Sequence, residues 1–148
     1  MESIEEKLII EAREQKACGI LRDGMTAGEL VALAFTPQGQ EFCVRRGFPS
    51  VEDFKALEAA GGVNNAKQHI VVDRSVYVTP NSVRNFAFAG SGCDAEIICG
   101  ETDATYTILV FHGARVTIHA YGYAVVKVVE IGEGCKVNFL NYENAVRL

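Results

Sequence analysis

Apolar and polar residues alternate on a short, fixed beat through the C-terminal half of the chain. Cys93-x-Ala95-x-Ile97 sets the shape: a small residue, apolar positions two apart, then a glycine-bearing corner. Ala104-x-Tyr106-x-Ile108, Ala114-x-Val116-x-Ile118, Ala124-x-Val126-x-Val128 and Cys135-x-Val137-x-Phe139 repeat it, and Ala145 opens a shortened sixth copy. The openings lie 11, 10, 10, 11 and 10 residues apart. Positions two apart share one face of a strand, and a fixed short period marks a stacked β architecture. With Ala114, Val116 and Ile118 inward, Arg115, Thr117 and His119 face out. The same phase turns Asp94, Glu96, Lys127, Lys136 and Asn138 outward. A slip of one residue would bury all of these polar groups. The six leading positions are all Cys or Ala, so stacking predicts a ladder of small residues at a tight corner.

The corners discriminate between folds. Cys99-Gly100, His112-Gly113, Tyr121-Gly122 and Ile131-Gly132-Glu133-Gly134 include no Asn-Gly or Asp-Gly pair, the pairs that two-residue hairpins prefer. Single glycines between short strands favour a short single-stranded right-handed β-helix with two or three copies per coil. A small β-sandwich or roll is the alternative, because a ten-residue period also suits up-and-down strands. Upstream, 69–73, 75–79 (closed by Pro80-Asn81) and 84–89 read as less regular strands that supply the first coil.

The N-terminal half carries four helix starts, each with its own stop. Ser3-x-x-Glu6 is a capping box ahead of Ile4, Leu8 and Ala12, with Lys16 in the last turn and Gly19 as terminator. Thr26-x-x-Glu29 precedes Leu30, Val31, Ala34 and Phe35. Thr36-Pro37 places proline at a first helical position, with Phe42 and Cys43 apolar and Gly47 at the end. Ser50-x-x-Asp53 opens a fourth helix bearing Val51, Phe54 and Leu57, broken by Gly61-Gly62. The class is therefore α+β: a four-helix cap over 1–62 and a β-repeat region over 63–148, packed as one unit. A solenoid this short has a narrow core, so the helices are expected to serve as its end cap, with Phe48 and Phe54 against the adjoining sheet.

Charge narrows the functional classes. The 148 residues carry a net charge of −5. Residues 1–68 hold 11 acids against 8 bases, and residues 69–148 hold 8 against 6, so neither half offers the basic surface that nucleic acid needs. No apolar run is long enough to cross a bilayer, and the acidic start Met1-Glu2-Ser3-Ile4-Glu5-Glu6 is unlike a secretory signal. The five cysteines, Cys18, Cys43, Cys93, Cys99 and Cys135, follow no metal or disulfide spacing. They read as small buried hydrophobes in a reducing, cytoplasmic setting, with no cofactor implied.

Several residue sets invite a chemical reading. His112, His119 and Cys135 resemble a Cys/His pair, but His119 points out, Cys135 points in, and His112 at its corner suits a backbone hydrogen bond. Asp94, Glu96, Glu101 and Asp103 cluster at one corner, a composition that serves calcium binding or glycoside hydrolysis; no Asp-x-Asp-x-Asp-Gly loop accompanies it. Outward Tyr121, Tyr123 and Tyr142 offer a sugar-stacking strip. Arg45 and Arg46 are the bases a DNA-reading helix would use, but Glu41, Glu52 and Asp53 crowd the same surface. No phosphate loop, nucleophile elbow or zinc pattern is present.

The runs Asp23-Gly24-Met25-Thr26-x-Gly28-Glu29-Leu30, Thr36-Pro37-x-Gly39-x-Glu41-Phe42-Cys43 and Gly47-Phe48-Pro49-Ser50 resemble a group of small uncharacterised proteins of gut Bacteroides-type bacteria. Their later alternating copies are similar too. The resemblance implies an association with phage or mobile elements and carries no catalytic residue. Together these features favour a non-enzymatic structural or interaction protein. A carbohydrate-binding module or glycan-active enzyme is the alternative, and a DNA-binding regulator the second. The outward apolar residues of the last copies, Val125, Val129, Leu140 and Tyr142, with Leu148, are the expected interaction surface. It would serve a homo-oligomer or a protein partner at the C-terminal coil.

Overall fold

A computed structural model of the chain describes residues 3–15, 21–80, 82–100 and 104–148. Lys16, Cys18, Gly19, Asn81, Glu101 and Asp103 lie outside the described residues. Among the described residues, four helices come first: α1 (Ile4–Glu14), α2 (Ala27–Ala34), α3 (Pro37–Arg46) and α4 (Val51–Ala60). Nine strands follow: β1 (Gln68–Val72), β2 (Ser75–Val78), β3 (Asn85–Ala89), β4 (Asp94–Cys99), β5 (Thr105–Phe111), β6 (Arg115–Ala120), β7 (Val125–Ile131), β8 (Lys136–Asn141) and β9 (Val146–Arg147).

Each helix begins where its sequence says. Ser3, Thr26, Thr36 and Ser50 all accept a hydrogen bond from the backbone N–H three residues on, filling one orphan donor per helix. Glu29 and Asp53 complete reciprocal capping boxes. Gly47 closes α3 in the left-handed conformation. Gly39 permits the α2–α3 turn, because a Cβ there would stand 1.8 Å from the Leu33 carbonyl oxygen.

The strands form two parallel sheets, β1-β3-β5-β7-β9 and β2-β4-β6-β8. A chain that alternates between two sheets and pairs only with the strand two earlier is a β-solenoid of roughly four coils. The all-parallel pairing excludes the meander that a sandwich or roll would need. One ten-residue copy supplies a strand and a corner, so two copies close a coil. Asp94 accordingly pairs with Arg115, and Arg115 with Lys136, in steps of 21 residues.

The small-residue ladder is therefore two ladders. Arg115 N–H donates to the Cys93 carbonyl and Lys136 N–H to that of Ala114, which aligns Cys93, Ala114 and Cys135 at one corner. Val125 N–H donates to Ala104 and Val146 N–H to Ala124, which aligns Ala104, Ala124 and Ala145 at the other. Between them Ile97, Ile108, Val110, Ile118 and Val126 are fully enclosed. Arg115, Thr117 and His119 face out as the alternation requires.

The helices do not cover an end of the solenoid; they cover a flank. Toward the C-terminal ends of its first four strands, the outward residues of the larger sheet are apolar: Ile70 and Val72, Ala87 and Ala89, Leu109 and Phe111, Val129 and Ile131. They join Leu8, Val31, Cys43, Phe54 and Leu57 in a second core between helices and sheet. Phe54 meets Phe111 edge-on at 4.7 Å. The driving force is the area removed from water: an open end exposes only the last coil, whereas the flank offers two apolar residues on each of four strands.

Polar contacts fix α4 along the corner that follows the larger sheet. Lys55 pairs with Asp73 at 3.0 Å, and Arg74 with Glu58 at 2.8 Å. His112 Nε2 lies 2.7 Å from the Pro49 carbonyl oxygen, the backbone bond expected of a corner histidine. Residues Asp73, Gly90, His112 and Gly132 occupy this corner in successive coils, all with positive φ. Side chain and glycine alternate: a Cβ on Gly90 would stand 2.0 Å from Asp73 Oδ1, and one on Gly132 2.5 Å from His112 Nδ1.

Candidate functional site

Two places concentrate features of a binding site: the uncovered face of the smaller sheet, and a cavity among the helices.

The smaller sheet turns away from the helices. Its outward positions stack in columns set by the register. Asp94, Arg115 and Lys136 form one; Tyr77, Glu96, Thr117 and Asn138 the next; Ile98, His119 and Leu140 the third. Tyr142 N–H donates to the Ala120 carbonyl, which places Tyr142 beside Tyr121 just past the third column. Their rings stack at 4.8 Å with planes 14° apart. His119 stacks on Tyr142 at 5.8 Å, and its Nδ1 lies 3.0 Å from the Tyr142 hydroxyl. The result is a mixed aromatic and aliphatic patch of Ile98, His119, Tyr121, Leu140 and Tyr142 running across three coils. Charges border it: Arg115 faces Asp94 at 3.5 Å, and His119 Nε2 lies 3.6 Å from Glu96.

The five residues expected to form one interaction surface separate in space. Leu140 and Tyr142 belong to this patch. Val125 and Val129 project from the larger sheet, and Val129 packs against the helical layer beside Pro37 and Val44 of α3. That packing half-buries Val129. Leu148 is exposed beyond β9, its N–H donating to the Val126 carbonyl at 2.8 Å. The inward column above Tyr106 and Val126 continues to Arg147, which is exposed; a guanidinium there opposes dry stacking of another coil on that sheet.

The helical cavity has a volume of about 320 Å³. Leu8, Val31, Leu33, Phe42, Phe54 and Leu57 give it an apolar wall drawn from all four helices. Gln15, Gln38, Glu41, Arg45 and Arg46 supply its polar lining. Arg45 is bonded to Glu41 one turn earlier, whereas Arg46 forms no ion pair with any described residue. Sequence patterning missed this cavity, because each apolar helix face reads as a packing surface until neighbouring helices fail to fill the space between them.

The described members of the remaining candidate sets have structural surroundings. Burial pushes the Cys43, Cys93 and Cys99 thiols up to about 12, 11 and 12 respectively, so they stay protonated and poorly nucleophilic. Cys135 is half-buried and donates to the Val110 and Ile131 carbonyls. His112 is held against Pro49 and His119 against Tyr142, so no Cys/His pair forms. Asp94 and Glu96 each have a basic neighbour, and Glu101 and Asp103 lie outside the described residues. No group of three or more metal-ligating side chains occurs among the described residues. No described helix is long and apolar enough to cross a membrane. Tyr123 is exposed on the turn before β7, apart from the Tyr121–Tyr142 stack. No protein-family model, curated protein or solved structure matches the chain.

Proposed function

We propose that the chain is a non-catalytic interaction protein, in which the solenoid is a rigid frame and the face of the smaller sheet is the docking surface. The observation that carries this reading is the patch of Ile98, His119, Tyr121, Leu140 and Tyr142. Aromatic residues set among aliphatic ones, rimmed by charge, make the composition of a protein contact. The stacked rings are held by each other and by the His119 contact, so little side-chain freedom is lost on docking. The first partner to consider is a second copy of this chain, and the free thiols fit a reducing, cytoplasmic setting. A role in phage or mobile-element assembly follows from the resemblance of the helical motifs.

The runner-up, glycan binding, draws on the same tyrosines. A sugar ring needs an open aromatic face, and Tyr121 and Tyr142 spend faces on each other, which weakens it. Light scattering from low to high micromolar concentration tests the leading reading. Mass should rise with concentration, and Leu140→Asp with Tyr142→Ala should hold the protein monomeric. A constant monomer mass in the parent protein overturns self-association, and a melting shift with oligosaccharides in its place favours the glycan reading.

A further inference from the structure

We propose that the cavity among the four helices is a binding site for a small amphiphile: a linear apolar chain with one anionic head group. This site is independent of the docking face, since it lies on the opposite side of the larger sheet. Three observations converge on that occupant. The volume of about 320 Å³ sits at the lower end of the range of small-molecule sites, which suits a chain and not a fused ring system. The wall is mainly apolar and comes from four separate helices. An apolar void inside a packed layer costs stability unless something fills it, and an aliphatic chain fills it without bringing in a polar group that the wall cannot satisfy.

The third observation is the charge at the rim. Glu41 is neutralised by Arg45 one helical turn away. Arg46, on the next position, has no such partner among the described residues, and it lines the same cavity. Gln15 and Gln38 add amide donors from α1 and α3. Among the described residues, the rim therefore holds one cation without an ion-pair partner, on a chain whose net charge is −5. A planar guanidinium receives a carboxylate through two parallel hydrogen bonds, so the head group pairs with Arg46 while the tail enters between α1, α2 and α4. Cys43 at the wall is a protonated thiol and acts as apolar lining.

Isothermal titration of the full chain with decanoate, decanol and decylamine tests this. Decanoate should bind saturably, with one molecule per chain, and decylamine should not. Decanol should bind about ten-fold more weakly. Arg46→Gln should remove the decanoate advantage and leave decanol unchanged. Ala34→Phe, which puts a ring into the cavity from α2, should abolish both while the far-ultraviolet spectrum stays native. If decanoate fails to bind the folded parent protein, or binds no better than decanol and ignores Arg46→Gln, the proposal is overturned. The Arg46 and parent measurements decide the matter even if Ala34→Phe does not fold.

Discussion

Removing the Phe54 ring probes the seam between helices and solenoid. Phe54 is 2% exposed, and its ring meets that of Phe111, itself fully buried on β5. Phe54→Ala therefore opens a cavity walled by α4 and the larger sheet. Core Phe→Ala changes cost about 3–5 kcal/mol, and loss of an edge-on aromatic pair falls within that figure. Against a total stability of about 5–15 kcal/mol for a domain, the variant should fold but only marginally. With a urea dependence of about 2 kcal/mol per molar, its midpoint should fall by roughly 2 M. The chain provides two separate probes. All five tyrosines, Tyr77, Tyr106, Tyr121, Tyr123 and Tyr142, lie in the solenoid, and there is no tryptophan. Tyrosine fluorescence thus reports the coils, while far-ultraviolet circular dichroism is weighted to the helices. Both curves should shift together, because the outward face of the larger sheet is solvated when the helices leave. A tyrosine transition that stays in place while the helical signal moves would refute the shared core. Phe42→Ala is the control. Phe42 is half-buried against Phe48 at 5.7 Å and should cost only about 1–2 kcal/mol by area.

Other tests address the corners, the ion pairs and the thiols. Gly132→Ala combines a φ of 82° with a Cβ 2.5 Å from His112 Nδ1, whereas Gly24→Ala has a φ of 81° and open space. Chemical denaturation should show the first losing clearly more than the roughly 1–2 kcal/mol of left-handed strain that the second incurs. The Lys55 hydrogen bond holds the Asp73 carboxyl below its ordinary value, and the Asp73 hydrogen bond raises Lys55. A depressed acid stabilises above its unfolded pKa and loses that contribution as pH falls through the folded one. The melting difference between the parent and Asp73→Asn should therefore be level near neutrality and shrink below about pH 4. It should shrink again in strong alkali, where Lys55 loses its proton. Alkylation at mildly alkaline pH, mapped by peptide mass spectrometry, should leave Cys43, Cys93 and Cys99 unlabelled until denaturant is added. With pKa values near 11 to 12 these buried thiols are almost wholly protonated, and labelling at the native rate of an exposed cysteine would contradict their burial.

Much of the architecture was legible along the chain because backbone geometry is local. Ser3, Thr26, Thr36 and Ser50 mark helix starts through bonds three residues long. Val116 and Ile118 share a face because strand side chains alternate, whatever the rest of the chain does. The parallel stacking followed from the ten-residue beat together with corners that hairpins avoid. Within the described residues, those features reappear at the expected positions.

Other features depended on which surfaces meet. Two copies per coil, not three, split the ladder into Cys93–Ala114–Cys135 and Ala104–Ala124–Ala145, a count that one copy cannot carry. The flank position of the helices had a signal that alternation hid. Ile108-Leu109-Val110-Phe111 and Phe86-Ala87-Phe88-Ala89 are apolar on both faces, as strands covered on both sides are, whereas Arg115-Val116-Thr117-Ile118 alternates. Read in that way, β3 and β5 already ask for a second layer. Val129 is half-buried because that layer packs beside it. The vacancy between α1, α2, α3 and α4 exists only where four independently amphipathic helices converge. A one-dimensional pattern sets which face of each element is apolar; the distances between those faces, and so the space left among them, come from packing alone.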